Sequence, residues 1–210
     1  VTFPHLIIDY GHGGLIESEY QTPGKRYTHV TDAGAVIVFE GVQNRIIAAD
    51  VIRYALDNGR KVYDCVSGKW WTTPPKWHEL EQRDVGLRTR VHNANPPSVR
   101  DGLLISMHSN ATGDGHQGTG TTATGWEFYT SPGETRSDQA ARSMAESARH
   151  HGEKVRGVLE ASFSIVTDTR GAAVLVEHGF HTTRSDAERI RFCPGGIAAA
   201  YWSMLKGLVK

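Results

Sequence analysis

Three runs of apolar and β-branched residues, around Ile7, Ile105 and Val174, each lead into a polar side chain: His12 in IIDYGHGG, His108 in LLISMHSNA and Glu177 in AVLVEHGF. Runs of this kind read as buried strands of a largely parallel sheet. Ligands of an open α/β sheet bind beyond the carboxyl ends of its strands. The three polar residues are therefore expected along one sheet edge, facing a common site.

Between the strands the apolar period changes. Over residues 40–58, Val42, Ile46, Ile47, Ala49, Ile52, Ala55 and Leu56 recur at helical spacing, and Asn58-Gly59 supplies a stop. Residues 79–95 are predicted helical until Pro96 and Pro97 end them, residues 136–159 form a long helix, and residues 197–208 a closing one. KVYDC near Val62 and WEFYT at Trp126 add strands. The tracts 15–31 and 66–77 read as long loops that rim a substrate groove, and 113–125, dominated by Gly and Thr, as a flexible rim. Strands alternating with long helices imply an α/β fold: a single-domain layered sandwich over residues 1–210, its largely parallel (mixed) central sheet flanked by helices.

The 210 residues are 39% hydrophobic and 22% charged, enough for one sizeable core. Lys and Arg together number 23, as do Asp and Glu, and a net charge of zero argues against a protein that holds nucleic acid by neutralising phosphates. Cys65 and Cys193 are too few for a disulfide framework and wrongly spaced for a cysteine zinc site; they read as buried thiols. No apolar stretch is long enough to span a bilayer, and the N-terminus lacks the basic and apolar regions of a signal peptide, so a soluble monomer is expected. Val1 in place of Met leaves room for a removed leader.

Glu40 opens the first predicted helix. With His12 and His108 it makes a His, Glu, His donor set, the count of a catalytic zinc site that keeps one position for water. Glu177 then remains for proton transfer. Each residue alone has a plainer reading, since a histidine beside a strand is commonly structural and a glutamate in a first helical turn complements the helix dipole. Their convergence is what distinguishes a site from these.

The same residues fall into a series of motifs: Asp9-Tyr10-Gly11-His12-Gly13-Gly14, then Glu40 and Asn44, then Leu87, Arg90, Ala94 and Asn95 running into Ser106, His108, Asn110 and Ala111, then Glu177, Gly179 and Phe180. In this order they resemble the zinc-dependent N-acetylmuramoyl-L-alanine amidases of the Amidase_3 type, the catalytic domain of cell-division amidases, sporulation hydrolases and many phage endolysins. The resemblance implies one Zn²⁺ per chain on His12, Glu40 and His108, catalysis by Glu177, and a peptidoglycan substrate cut between the lactyl group of N-acetylmuramic acid and L-alanine. It also implies action at the bacterial cell wall, as a phage endolysin or an extracytoplasmic enzyme. The rival readings are a zinc peptidase cutting within the stem peptide and a catalytically silent wall-binding module.

The chain departs from the family pattern in three places. Tyr10 replaces a proline. The stretch from His12 to Glu40 is longer than usual, which leaves Glu17, Glu19, His29 and Asp32 as rival donors of the middle ligand. His178 and His181 stand where small or polar residues are usual. Beyond the motifs, His178 is a candidate to relay protons or support the site from behind, and Glu127 either supports the site or faces solvent. Trp70, Trp71, Trp77 and Trp126 either stack on sugar faces in the substrate groove or pack beneath the loops. His150 and His151 belong to a solvated helix face.

Overall fold

A computed structural model describes residues 1–31, 34–112 and 122–210. The chain runs β1 (Leu6–Asp9), β2 (Leu15–Ile16), β3 (Glu19–Tyr20), β4 (Arg26–Thr31), β5 (Gly34–Phe39), α1 (Glu40–Asp57), β6 (Val62–Asp64) and β7 (Lys69–Trp71). After a 3-10 turn (Trp77–Glu79) come α2 (Leu87–Ala94), β8 (Leu103–Asn110), β9 (Trp126–Thr130), α3 (Arg136–His150) and β10 (Val155–Glu160). The chain closes with α4 (Ser164–Thr167), β11 (Ala172–Phe180), α5 (Arg184–Phe192) and α6 (Pro194–Leu205).

Seven strands form the central sheet in the order β10-β9-β11-β8-β1-β6-β7. Its middle, β6, β1, β8 and β11, is parallel, while β7 and β9 run antiparallel to their inner neighbours, so the sheet is mixed as expected. Alternation along the strands explains the layers. Leu6, Ile8, Leu103, Ile105, Met107, Val174 and Val176 join the larger core, with Ile47, Ile52, Met144 and Tyr201 of α1, α3 and α6. Ile7, Leu104, Ala173 and Leu175 face the other way, against Val91 and Ala94 of α2 and Ile165 and Val166 of α4. With both faces covered, the central strands are apolar throughout, as their sequences require.

Several elements differ from expectation. The tract 15–31 is not a loop: β2 and β3 form one hairpin, and β4 pairs with β5 from Arg26↔Phe39 to Thr31↔Gly34. The alternating β-branched residues of RYTHVT and GAVIVF supply the strand propensity. Only Leu87–Ala94 of the predicted 79–95 helix is α-helical. Residues 80–86 stay non-helical because their backbone is used elsewhere: Gln82 O accepts from Gly14 N, and Glu81 O accepts two hydrogen bonds from the buried Arg45 guanidinium. Tyr10, in the proline's place, receives the Glu81 N–H on its hydroxyl and donates to Asp64.

The predicted 136–159 helix stops at His150, where Gly152 adopts a left-handed φ of 87°, and the rest becomes edge strand β10. The 66–77 tract contains β7, and the closing helix begins earlier than predicted, at Pro194, whose missing N–H is harmless in a first turn. Cys65 and Cys193 are free thiols; Cys65 is buried as expected, whereas Cys193, expected to be buried, is exposed. Among the described residues no helix is long and apolar enough to cross a membrane.

Candidate active site and metal centre

The edge where β1, β8 and β11 end holds a cavity of about 270 Å³ lined by His12, Gly24, Lys25, Glu40, His108, Ser109, Asn110, Ala111, Glu177 and His181. Each strand delivers its residue by a different device. After β1 the chain turns sharply, with Gly11 at φ 34° and His12 at φ 53°, a left-handed conformation uncommon for a non-glycine residue. A side chain at Gly11 would stand 2.4 Å from His108 Cε1, so the bare backbone there makes room for the imidazole. A side chain at Gly41 would collide with the Gly13 carbonyl at 2.0 Å, so the first turn of α1 packs directly on this loop.

That packing brings Glu40 to the histidines. Glu40 Oε1 lies 3.4 Å from His12 Nε2 and 3.0 Å from His108 Nδ1, and accepts from the Ser109 N–H at 3.2 Å. Among the described residues, His12, Glu40 and His108 form the group of donors that could hold a metal ion, each offering one atom and all within 4.8 Å of one another. Ligands about 2.0–2.2 Å from a tetrahedral zinc stand roughly 3.3 Å apart, so the Glu40–His12 and Glu40–His108 separations fit that ion. The rival donors lie elsewhere. Glu17 and Glu19 are exposed on the β2–β3 hairpin, and His29 Nε2 is 3.0 Å from the His181 carbonyl. Asp32 lies outside the described residues.

Glu177 sits directly across β8 from His108 in the parallel register and across β9 from Glu127. The residue lines the cavity, and its buried Oε2 has no hydrogen-bond partner among the described residues. Burial raises its pKa well above the ordinary carboxylate range, and the negative charges of Glu40 and then Glu127 push it further the same way. Glu40 is driven oppositely. Burial also penalises its charge, but His12 and His108 together outweigh that penalty and hold its carboxyl well below the usual value. Two neighbouring carboxylates are thus separated into one that stays ionised and one that readily holds a proton.

Glu127 is buried rather than facing solvent. It accepts from Asn110 Nδ2 at 2.8 Å, Tyr129 Oη at 2.9 Å and Arg156 Nε at 2.6 Å, which ties the cavity residue Asn110 to β9 and β10. Behind the site, Asp9 is fully buried and bonded to Arg90 Nη1 and Ser106 Oγ, joining β1, α2 and β8.

Other candidates are placed away from the cavity. His178 follows Glu177 by one residue and therefore points through the opposite sheet face, with Nδ1 3.1 Å from Tyr201 Oη and its ring near Trp126. Burial lowers its pKa to about 3, which keeps it neutral and unsuited to relaying protons. Trp126 is 1% exposed and donates to Glu153; it is a core residue, not a sugar platform. Trp70 and Trp71 pair with Tyr63 and Val62 on the edge strand β7, outside the cavity lining, with Trp70 packed on His5 and Tyr63. Trp77 lies in a separate apolar groove beside Leu15 and Phe192. His150 and His151 are exposed, as expected.

Of the two tracts expected to rim the groove, 15–31 contributes Gly24 and Lys25, whereas 66–77 contributes no cavity residue. The 113–125 rim lies mostly outside the described residues. Lys25, Ser109 and Asn110 were not singled out as site residues from sequence; the alternation of RYTHVT and GAVIVF, which signals a hairpin leading back to Glu40, would have pointed to Lys25.

A mixed α/β sandwich with a His, Glu, His cluster that could hold a metal ion, and a further glutamate beside it at the strand ends, has the make-up of a hydrolase. Residues 6–192 match the Amidase_3 family model, N-acetylmuramoyl-L-alanine amidase, and the chain belongs to that family. It is a hydrolase of the amide bond between N-acetylmuramic acid and L-alanine in peptidoglycan.

Solved structures share the fold. An N-acetylmuramoyl-L-alanine amidase from Clostridium difficile 630 matches at 24% identity and a TM-score of 0.67, over 98% of each chain. The amidase Ami1 from Mycobacterium smegmatis matches at 17% identity and 0.70, over 99% of this chain and 97% of its own. The catalytic domain of the CD27L endolysin, which targets Clostridia difficile, matches at 16% and 0.63, over 99% of both. No curated protein matches the chain.

Proposed function

We propose that this amidase works with one zinc ion held by His12, Glu40 and His108, and that Glu177 transfers the protons of the reaction. The observation that carries this reading is the pair of glutamates with opposite tendencies, Glu40 buried among the histidines and Glu177 half-buried beside them, with an oxygen that has no hydrogen-bond partner among the described residues. When bound, zinc supplies a Lewis acid that polarises the scissile carbonyl and lowers the pKa of water towards ~7.

The chain's own residues do the rest. Glu40, kept ionised between two imidazoles, supplies the anionic donor. The Glu177 carboxylate accepts the proton released by the attacking water and returns it to the departing alanine nitrogen, a task suited to a carboxyl whose pKa is raised well above the ordinary range by burial and by its acidic neighbours. Glu127 fixes Asn110 in the cavity wall, and the Glu40 link to the Ser109 N–H fixes the same strand end. In this reading the chain acts on the bacterial cell wall as a monomeric lytic enzyme.

Digestion of purified peptidoglycan, followed by mass spectrometry, tests the assignment. The expected products are stem peptides with a new free L-alanine amine and glycan without new reducing ends. Cleavage inside the stem would overturn it in favour of a peptidase. Chelation should abolish turnover, zinc should restore it, and metal analysis should find about one ion per chain.

A further inference from the structure

The residues between His12 and Glu40 build two hairpins, and their path returns a cation to the catalytic cavity. Lys25 lies in the turn between β3 and β4. Its N–H bonds to Thr22 O at 2.9 Å, and its carbonyl accepts from Glu40 N at 3.0 Å and Tyr20 Oη at 2.9 Å. The Tyr20 hydroxyl in turn accepts from Gly41 N at 3.0 Å. The Lys25 backbone is thus stapled to the first turn of α1, beside the glutamate among the histidines.

Its side chain is exposed, and it is the single lysine or arginine among the described residues lining the cavity. No hydrogen bond or ion pair to another described residue engages its ammonium. Its charge nonetheless reaches the cavity: it opposes the rise that burial and the acidic neighbours impose on Glu177, and adds to the lowering that burial imposes on His181.

We propose that Lys25 is a specificity residue, its ammonium binding a carboxylate carried by the substrate on the peptide side of the scissile amide. This rests on the amidase reading above and names the substrate group that the reading leaves open. The chemistry favours the peptide side because the lactyl carboxyl is consumed in the amide and the flanking N-acetyl sugars are neutral, whereas the stem beyond alanine is acidic. At the mouth of this cavity Lys25 carries the one lysine or arginine charge of the described lining, placed to pair with a carboxylate that extends past the reacting amide. An exposed lysine is a mobile, compact point charge, suited to capturing such a group at the cavity mouth rather than to stabilising charge in a desolvated interior.

The test uses two soluble probes, L-Ala-D-Glu with a free α-carboxylate and its α-amide, titrated calorimetrically into the zinc-loaded chain. The wild type is expected to favour the free acid about fivefold, the weight of one exposed charge pair; Lys25→Met should erase that preference and Lys25→Arg should retain part of it. In turnover, Lys25→Met should raise KM for the acidic stem while lowering the acid-over-amide ratio of kcat/KM by the same factor. A wild type without preference, or a preference that survives Lys25→Met, overturns the proposal. So does an equal loss of kcat on both stems, which would place Lys25 at the reacting amide. Wall digestion that releases no alanine amine would defeat the amidase reading alone, because the titration still decides the role of Lys25.

Discussion

Glu40 and Glu177 are the same residue type lining one cavity, yet their surroundings give them different chemistry. Glu40 faces two imidazoles, and Glu177 faces two carboxylates. The variant Glu177→Gln keeps the size of the side chain but removes its basicity, so turnover should fall by about a hundredfold or more, with zinc content and thermal stability retained. A fully active variant would remove Glu177 from the proton path even if the amidase products were confirmed. Gly11→Ala offers a second test without touching a donor. The added methyl meets the His108 ring on a backbone at φ 34°, so the imidazole is displaced and zinc binding should weaken, as read by metal analysis. Undiminished zinc in that variant would mean that the turn relaxes without moving His108.

Elements meet at the site through a small number of buried polar ties. Arg90 of α2 reaches Asp9 at the end of β1 at 2.9 and 3.0 Å, and Ser106 of β8 donates to the same carboxylate at 2.7 Å. Arg90→Met leaves the Asp9 charge buried without its cation, which should cost roughly 3–5 kcal/mol in chemical denaturation. A loss below about 1 kcal/mol would show that the tie contributes little. At this scale the sequence was legible where one pattern ruled: α1, β8 and the first six residues of β11 follow directly from apolar periodicity. It misled at residues 80–86, which look helical but lend their carbonyls to Arg45 and Gly14. It also misled in 15–31, where polar composition hid an alternation that pairs β4 with β5. Both errors arise because tertiary partners override local propensity.

For the whole molecule, acid is the informative stress. His178 is buried between Trp126 and Tyr201, and its folded pKa of about 3 lies below the unfolded value near 6.5. The unfolded chain therefore binds the proton more readily, so this group's contribution is complete above pH ~6.5 and is lost as pH falls towards about 3. Asp9 acts lower down. Burial works against its charge, but Arg90, His108 and Ser106 prevail and hold its pKa below the ordinary value, so its contribution is present above pH ~3.9 and is lost as pH falls through the folded pKa. In His178→Leu, the slope of unfolding free energy against pH between about 6 and 4 should flatten by up to ~1.4 kcal/mol per unit. An unchanged slope in urea titrations would show that His178 does not govern this range.

By itself the sequence determined the α/β class, the central strands, the family, and His12, Glu40, His108 and Glu177 as candidates, because each is written locally in periodicity or in short motifs. Only the tertiary structure decided which side of the sheet each residue faces and which distant segments meet. The period of two sends Glu177 to the cavity and His178 into the core, and sinks Trp126 among Phe128 and Tyr201. The return of Lys25 to Glu40 depends on hydrogen bonds between segments that carry no shared sequence signal. Such contacts depend on the path of the folded backbone, which no local window of residues contains.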